Sequence, residues 1–477
     1  MGNLVLVEEE VIHASPEAVF SLFGRSADAG WLFGSSCDAV ARGSVVRFAL
    51  PVGTQDGAPL EAAGRIVALE PPHRIQIRHE FPWRGTVTCT IRGDEARSTV
   101  RVVVELPQEA MGWWMRRRGK DPPVEAGAGT CPVGLLTSQS GTAGVYAGAS
   151  EDLARLALDE LNADGLRGDR LSLAVADDAT YPAVGVRELR RLITSEGCRV
   201  VVTNVTSATF NAIEPAAAQA GVLLIHSPVN EGGRTGDVLF RLGERPAGVV
   251  REAVPRLMAE TGHRRWFLVG DDYSWPRATN AWVSRAIERA GGVVVGDRYA
   301  PLGSRDFGPL LEAIDRSGAD LIASAFVGGD EVAFERQCFE AGVRQRARTL
   351  SLCLDESTRD HIGDAAVAGL WSVWGYFQEL DTHLNGPFLR RYHERAGDGA
   401  PPVSSLSQSV YETIHLVGDA MRRARSTEPV EIGRALRSAS FAGPRGTVSV
   451  VGPGHHHQPL YLAEAVPGGF RILDAVG

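Results

Sequence analysis

Residues 266–280 read WFLVGDDYSWPRATN, and this stretch decides how the chain is read. An apolar run (Trp266, Phe267, Leu268, Val269) ends in Gly-Asp-Asp, passes two aromatics and enters a helix through Pro276, a residue suited to a first helical turn. The pattern is strand, loop, helix. In an open parallel sheet, ligands sit outside the carboxyl ends of the strands, so Tyr273 and Trp275 are expected to face a crevice.

The same alternation extends on both sides. Upstream it predicts strands at 132–137, 171–176, 199–203, 222–226 and 238–242, with helices at 149–163, 182–195, 208–220 and 246–261. In the first helix, Ala149, Leu153, Leu156, Ala157 and Leu161 fall at helical spacing. Downstream it predicts strands at 293–299, 320–325 and 348–352 and helices at 276–290, 307–317 and 330–341. Two α/β lobes with parallel sheets are the expected result.

Residues 1–118 have another rhythm. Ser15-Pro16-Glu17 opens a helix running through Phe23, and short strand-like runs follow at 45–50, 64–69, 74–80, 85–91 and 98–105. Residues 119–130, GKDPPVEAGAGT, offer little to bury and read as a linker.

Composition sets limits on chemistry. With 44% hydrophobic and 22% charged residues the 477-residue chain is an ordinary globular protein, long enough for three compact units. The net charge of −9 places no basic field against nucleic acid. Lys120 is the only lysine and stands in no phosphate-loop or Schiff-base setting. Six scattered cysteines (37, 89, 131, 198, 338 and 353) form no CxxC pair and read as reduced. The opening MGNLVLVEEEVIHASPEAVF lacks the features of a secretory signal, and no apolar run reaches 18 residues, so a cytoplasmic protein away from the membrane is expected.

Three features allow two readings each. Trp113-Trp114 with Arg116-Arg117-Arg118 is either a membrane or nucleic-acid patch or a solvated helix end. His455-His456-His457 is either a metal site or a hairpin tip after Gly452-Pro453-Gly454. Asp271-Asp272 is either an acid–base pair or a loop cap with ligand contacts. In each case the second reading is preferred, so no catalytic residue, metal or cofactor is assigned.

Two resemblances add to this. VIHASPEAVFSLF, Trp31 and ALEPPHRIQIRHEF resemble the START-like (SRPBCC) helix-grip family over residues 1–118, which implies a curved antiparallel sheet around an apolar cavity closed by a long helix. Only 107–118 is available for that helix. VGLLTSQSGTAGVYAGASEDLARLALDELNADG, VGDDYSWPRATNAWVSRAIERAGG, SGADLIASAFVGGDEVAFERQ and WGYFQELDT resemble type I periplasmic-binding-protein sequences, nearest the branch that binds short amides and urea. That branch includes the cytoplasmic amide sensors of amidase operons. The resemblance spans about 131–475 and implies a domain over 131–477, with lobes at about 131–243 plus 353–425 and about 244–352 plus 426–477, joined by three hinge strands.

The second resemblance implies a ligand clamped between the lobes. Carried over by position, Ser138 and Gly141 belong to the first cleft loop, Ser207 to the end of the third strand, and His226 and Ser227 to the loop after the fourth. Tyr273, Trp275, Phe326, Gly328 and Asp330 come from the second lobe, and Tyr376 lies near a crossing strand. Val205, His226 and Trp275 stand where the amide sensors carry tyrosine, which implies a ligand of different size or polarity. His226 reads either as a titrating ligand contact or as a buried strand-end histidine.

The expected function is therefore a cytoplasmic sensor of a small polar metabolite of the amide, urea or amino-acid class, passing its closure to a regulatory partner. An apolar ligand in the START-like domain and a homodimer are compatible with it. The alternatives are a biosynthetic enzyme or carrier using both domains and, as the lesser one, the solute-binding component of an ABC importer.

Overall fold

The computed structural model describes residues 4–23, 36–37, 39–50, 60–79, 85–106, 130–165, 170–397 and 400–476. Trp31, the 107–118 helix, the tryptophan and arginine run within it, and nearly all of the linker lie outside these residues. The chain divides into two compact units, Met1–Pro123 with Ala396–Pro401 and Val124–Arg395 with Pro402–Gly477.

The first unit is an antiparallel sheet of seven strands. Their order is Leu4–Ile12, Ser98–Leu106, Gly85–Gly93, Arg74–His79, Leu60–Glu70, Val45–Leu50 and Ser36–Cys37. Alternation puts Ile75 and Ile77, and Val87, Cys89 and Ile91, on the buried side. The helix Pro16–Phe20, capped by the Ser15 hydroxyl at 3.3 Å from the Ala18 N–H, sets Val19 on Cys89 and Ile91. It ends at Phe20 rather than Phe23, and Phe23 packs with Val46, Ile66, Ile75 and Ile77.

The second unit holds two parallel sheets. One orders Leu239–Arg241, Leu223–His226, Val200–Asn204, Thr130–Thr137 and Arg170–Asp177, all parallel. The other orders Val293–Ala300, Arg265–Asp271, Leu321–Ala325, Arg348–Ser351 and Trp371–Trp374 in parallel, and Tyr461–Val466 and Gly469–Ala475 complete it antiparallel. The central strands Val200–Asn204 and Leu321–Ala325 are buried along their whole length, as helices on both faces require. This is the two-lobed α/β architecture expected from the alternation.

The strands divide the lobes differently from the expected boundaries. Trp371–Trp374 pairs with Arg348–Ser351, so the second lobe runs on past 353 to about Trp374. Residues 429–443 pack on the first lobe, where the helix Pro429–Leu436 meets the helix Ser405–Ala424 and Gly433 abuts the Asp237 carbonyl. An apolar strand looks the same in sequence whichever sheet it joins, so pairing alone fixes these crossings.

Candidate functional site

The parallel strands of both lobes point their carboxyl ends at one cavity of about 50 Å³, measured to water centres, several times what a single water needs. From the first lobe come Thr137 and Ser138 after one strand, Asn204 to Ser207 after a second, and Pro228 and Val229 after a third. Ala143 and Tyr146 reach it from the 3-10 turn Thr142–Tyr146. The second lobe supplies Tyr273 and Trp275, Val327, Cys353 and Trp374, each at or just beyond a strand end. Leu406 joins them from the start of the helix Ser405–Ala424.

Local sequence explains these positions. Thr206 is the N-cap of the helix Ser207–Ala220, its hydroxyl accepting the Thr209 N–H at 3.3 Å, so the helix starts with its positive end at the cavity wall. The Ser207 hydroxyl donates to Glu231 at 2.6 Å. Gly141 has φ +78, and a Cβ there would lie 2.3 Å from the Ala179 carbonyl; that glycine turns the chain into the segment bearing Tyr146.

The lobes also touch directly. The Gly328 N–H donates to the Tyr146 phenol oxygen at 2.9 Å, while that phenol donates to the Cys353 carbonyl at 3.4 Å. The Thr142 hydroxyl donates to Asp330, whose other carboxyl oxygen accepts the Gly303 N–H at 2.6 Å and the Ser304 N–H at 3.1 Å. Asp271 accepts the Val327 N–H at 2.8 Å. Burial, with the Asp330 charge beside it, holds the Asp271 carboxyl well above the usual carboxylate range, and burial raises Asp330 as well.

Of the eleven residues singled out in the sequence, Ser138, Ser207, Tyr273 and Trp275 line the cavity together. The other seven do not. Gly328 and Asp330 build the inter-lobe contacts just described, and Gly141 forms the first-lobe turn that leads to Tyr146. Phe326 packs in the second-lobe core at 4.8 Å from Phe307 and 4.9 Å from Phe334. Tyr376 is buried and donates to Asn385 at 2.8 Å. Ser227 donates to the Thr203 carbonyl at 2.8 Å.

His226 lies wholly buried against Phe210, ring centroids 4.2 Å apart, with Nδ1 3.1 Å from the Thr203 hydroxyl. Burial, then Arg241 and Arg245, push its pKa well below the ordinary histidine value, so it stays neutral at neutral pH and its buried strand-end reading is the one observed. Asp271 and Asp272 point apart, one buried and the other exposed and paired with Arg277 at 2.6 Å. The histidine run forms the strand His455–His457, with His456 at 3.6 Å from Glu412. No cluster of metal-ligating side chains occurs among the described residues.

Sequence reasoning missed Tyr146, Cys353 and Trp374. Tyr146 lies in a segment quoted as a first-lobe signature, and Trp374 ends an apolar run, so strand-end position was the available signal for Trp374.

These features define a hinged clamp of the type I periplasmic-binding-protein fold, with strand ends from two lobes meeting on one cavity. A family model described as "Periplasmic binding protein" matches residues 130–469, and the chain belongs to that family. Among curated relatives, the Leu/Ile/Val-binding protein BraC3 of Rhizobium johnstonii is 27% identical over 196 residues, 40% of this chain and 53% of that protein. The chain thus spans about half of that relative's length. Leu/Ile/Val-binding protein homolog 3 of Brucella melitensis is 19% identical over 301 residues, 62% of this chain and 80% of that protein. Two solved structures share the fold. One is an amino acid ABC transporter substrate-binding protein from Pseudomonas fluorescens (19% identity, TM-score 0.65, 73% of this chain and 96% of that one). The other is a solute-binding protein of an R. palustris ABC transporter in complex with benzoate (22% identity, TM-score 0.64, 73% and 96%).

The family corrects the expected cytoplasmic location. Its members named above are binding proteins of the periplasmic type and of ABC transporters, and the inference drawn from the first twenty residues does not stand against that match. The cytoplasmic sensor role rested on the same inference and goes with it.

Proposed function

We propose that this chain is the solute-binding component of an ABC-type importer, clamping a small organic solute between its lobes outside the cytoplasm. The observation that carries the reading is the meeting of Ser138, Ser207, Tyr273 and Trp275, drawn from both lobes, on one cavity. A helix N-terminus on one side and aromatic walls on the other suit a ligand with a polar head and an apolar edge. Amino acids and aromatic acids, which the names of its relatives print, and the short amides of the sequence resemblance all have that form.

The N-terminal unit enters the proposal as a START-like domain. Its seven antiparallel strands with a short helix against Cys89 and Ile91 support that reading. A thermal-shift screen over amino acids, amides and aromatic acids tests the clamp. At about 100 times its dissociation constant, a ligand stabilises by roughly 2.7 kcal/mol. That gain should vanish in Tyr273→Ala and in Ser207→Ala. An unchanged gain in both variants overturns the site.

A further inference from the structure

The cavity wall carries no charged side chain: no Asp, Glu, Lys, Arg or His is among its lining residues. Its titratable members are neutral, because burial pushes the Tyr146 and Tyr273 phenols and the Cys353 thiol up. What the wall offers is uncharged polar groups, among them donors without partners. The Trp275 indole N–H and the Thr137 hydroxyl are buried, 3% and 1% exposed by residue, and neither has a hydrogen-bond partner. The helix beginning at Ser207 adds the positive end of its dipole. The remaining wall is largely apolar, including Val205, Val229, Val327 and Leu406.

An amino acid brings two opposite charges into such a site. Donors without a counter-charge suit its carboxylate, but its ammonium requires an acceptor, and a buried unpaired charge is strongly disfavoured. Two acids close to the wall are engaged elsewhere. Glu231 accepts the Ser207 hydroxyl at 2.6 Å and lies in the field of Arg241 and Arg245. Asp271 accepts from the Val327 N–H and sits against Asp330. Neither reaches the wall.

We propose that this cavity selects a small monocarboxylic acid with an apolar aryl or branched-alkyl body and no amino group, in preference to the matching amino acid. The inference rests on the reading of the cavity as the ligand site. Calorimetric titration of the full chain with two matched pairs tests it: 4-methylpentanoate against L-leucine, and 3-phenylpropanoate against L-phenylalanine. The acid is expected to bind at least tenfold tighter in whichever pair binds. Trp275→Phe, which keeps the apolar wall and removes the N–H, is expected to weaken the acid at least fivefold, and Thr137→Val serves as a second donor deletion should the first fail to fold.

Equal or tighter binding of the amino acid overturns the inference. If that binding still responds to Trp275→Phe, the clamp reading survives alone. If no solute in either pair or in the thermal-shift screen binds, the inference and the clamp reading fall together.

Discussion

Tyr146 and Gly328 meet across the cleft, the glycine N–H of the second lobe donating to the tyrosine phenol of the first at 2.9 Å. Gly328 has φ +61, and a Cβ there would lie 2.1 Å from the Thr142 carbonyl oxygen and 3.0 Å from the Ala143 Cα. The glycine therefore permits the two lobes to close on each other. Gly328→Ala should lower ligand affinity at least tenfold and leave the chain open in small-angle scattering with ligand present. Strain at positive φ costs on the order of 1–3 kcal/mol, so unfolding is expected to change only modestly.

The neighbouring contact gives a milder lesion. Thr142→Val deletes the hydroxyl that donates to Asp330 but keeps the side chain's shape. Leaving a buried carboxyl oxygen without this donor costs about 1–3 kcal/mol, and only in the closed form, where the donor is present. The expected result is a five- to hundredfold rise in the dissociation constant with an unchanged melting temperature in the absence of ligand.

At the hinge, one oxygen of Glu244 collects three donors: the Gly375 N–H at 3.1 Å, the Ser405 hydroxyl at 3.0 Å and Arg445 Nη1 at 3.1 Å. The same Arg445 Nη1 donates to Gln458 at 2.8 Å, so the three crossing segments near 244, 375 and 458 share one wholly buried guanidinium. Glu412 also lies 3.0 Å from it. Arg445→Met would leave two buried carboxylates uncompensated, which costs about 3–5 kcal/mol. Urea denaturation should show that loss, with a lower midpoint.

Asp355 carries a pH signature. It caps the helix Glu356–Ile362, accepting the Ser357 and Thr358 N–H groups at 2.9 and 3.0 Å, yet burial raises its pKa from 3.8 to about 6. A carboxyl whose folded pKa is raised stabilises fully below its unfolded value and loses that contribution as pH rises through the folded one. Relative to Asp355→Asn, which keeps the cap acceptor, the native chain should lose up to about 3 kcal/mol between pH 4 and pH 7. Melting curves of the two proteins across that range check it, and parallel pH profiles would refute it.

Much of the fold was legible in the sequence because buried parallel strands and amphipathic helices have different periods. The strand Arg265–Asp271 and the helix Ser274–Arg289 fall where Trp266 to Asn280 placed them, to within two residues. Tyr273 and Trp275 were legible because they lie in the loop and first helical turn after a strand end, and Ser138 and Ser207 came from the family resemblance. His226 also ends a strand, yet its side chain turns into the core beside Phe210, and alternation in a four-residue strand buried throughout gives no outward clue. Tyr146 depends on the positive φ of Gly141, and Cys353 and Trp374 depend on which sheet receives their strands. Those are facts of pairing and backbone geometry, with no local composition to announce them.

A crystal structure of the full chain with a bound solute from the screen tests the central claim most directly. The account predicts ligand density between Ser138 and Ser207 on one side and Tyr273 and Trp275 on the other, with the Tyr146 to Gly328 contact closed. Density elsewhere on the chain, with this cavity holding only water, would contradict it.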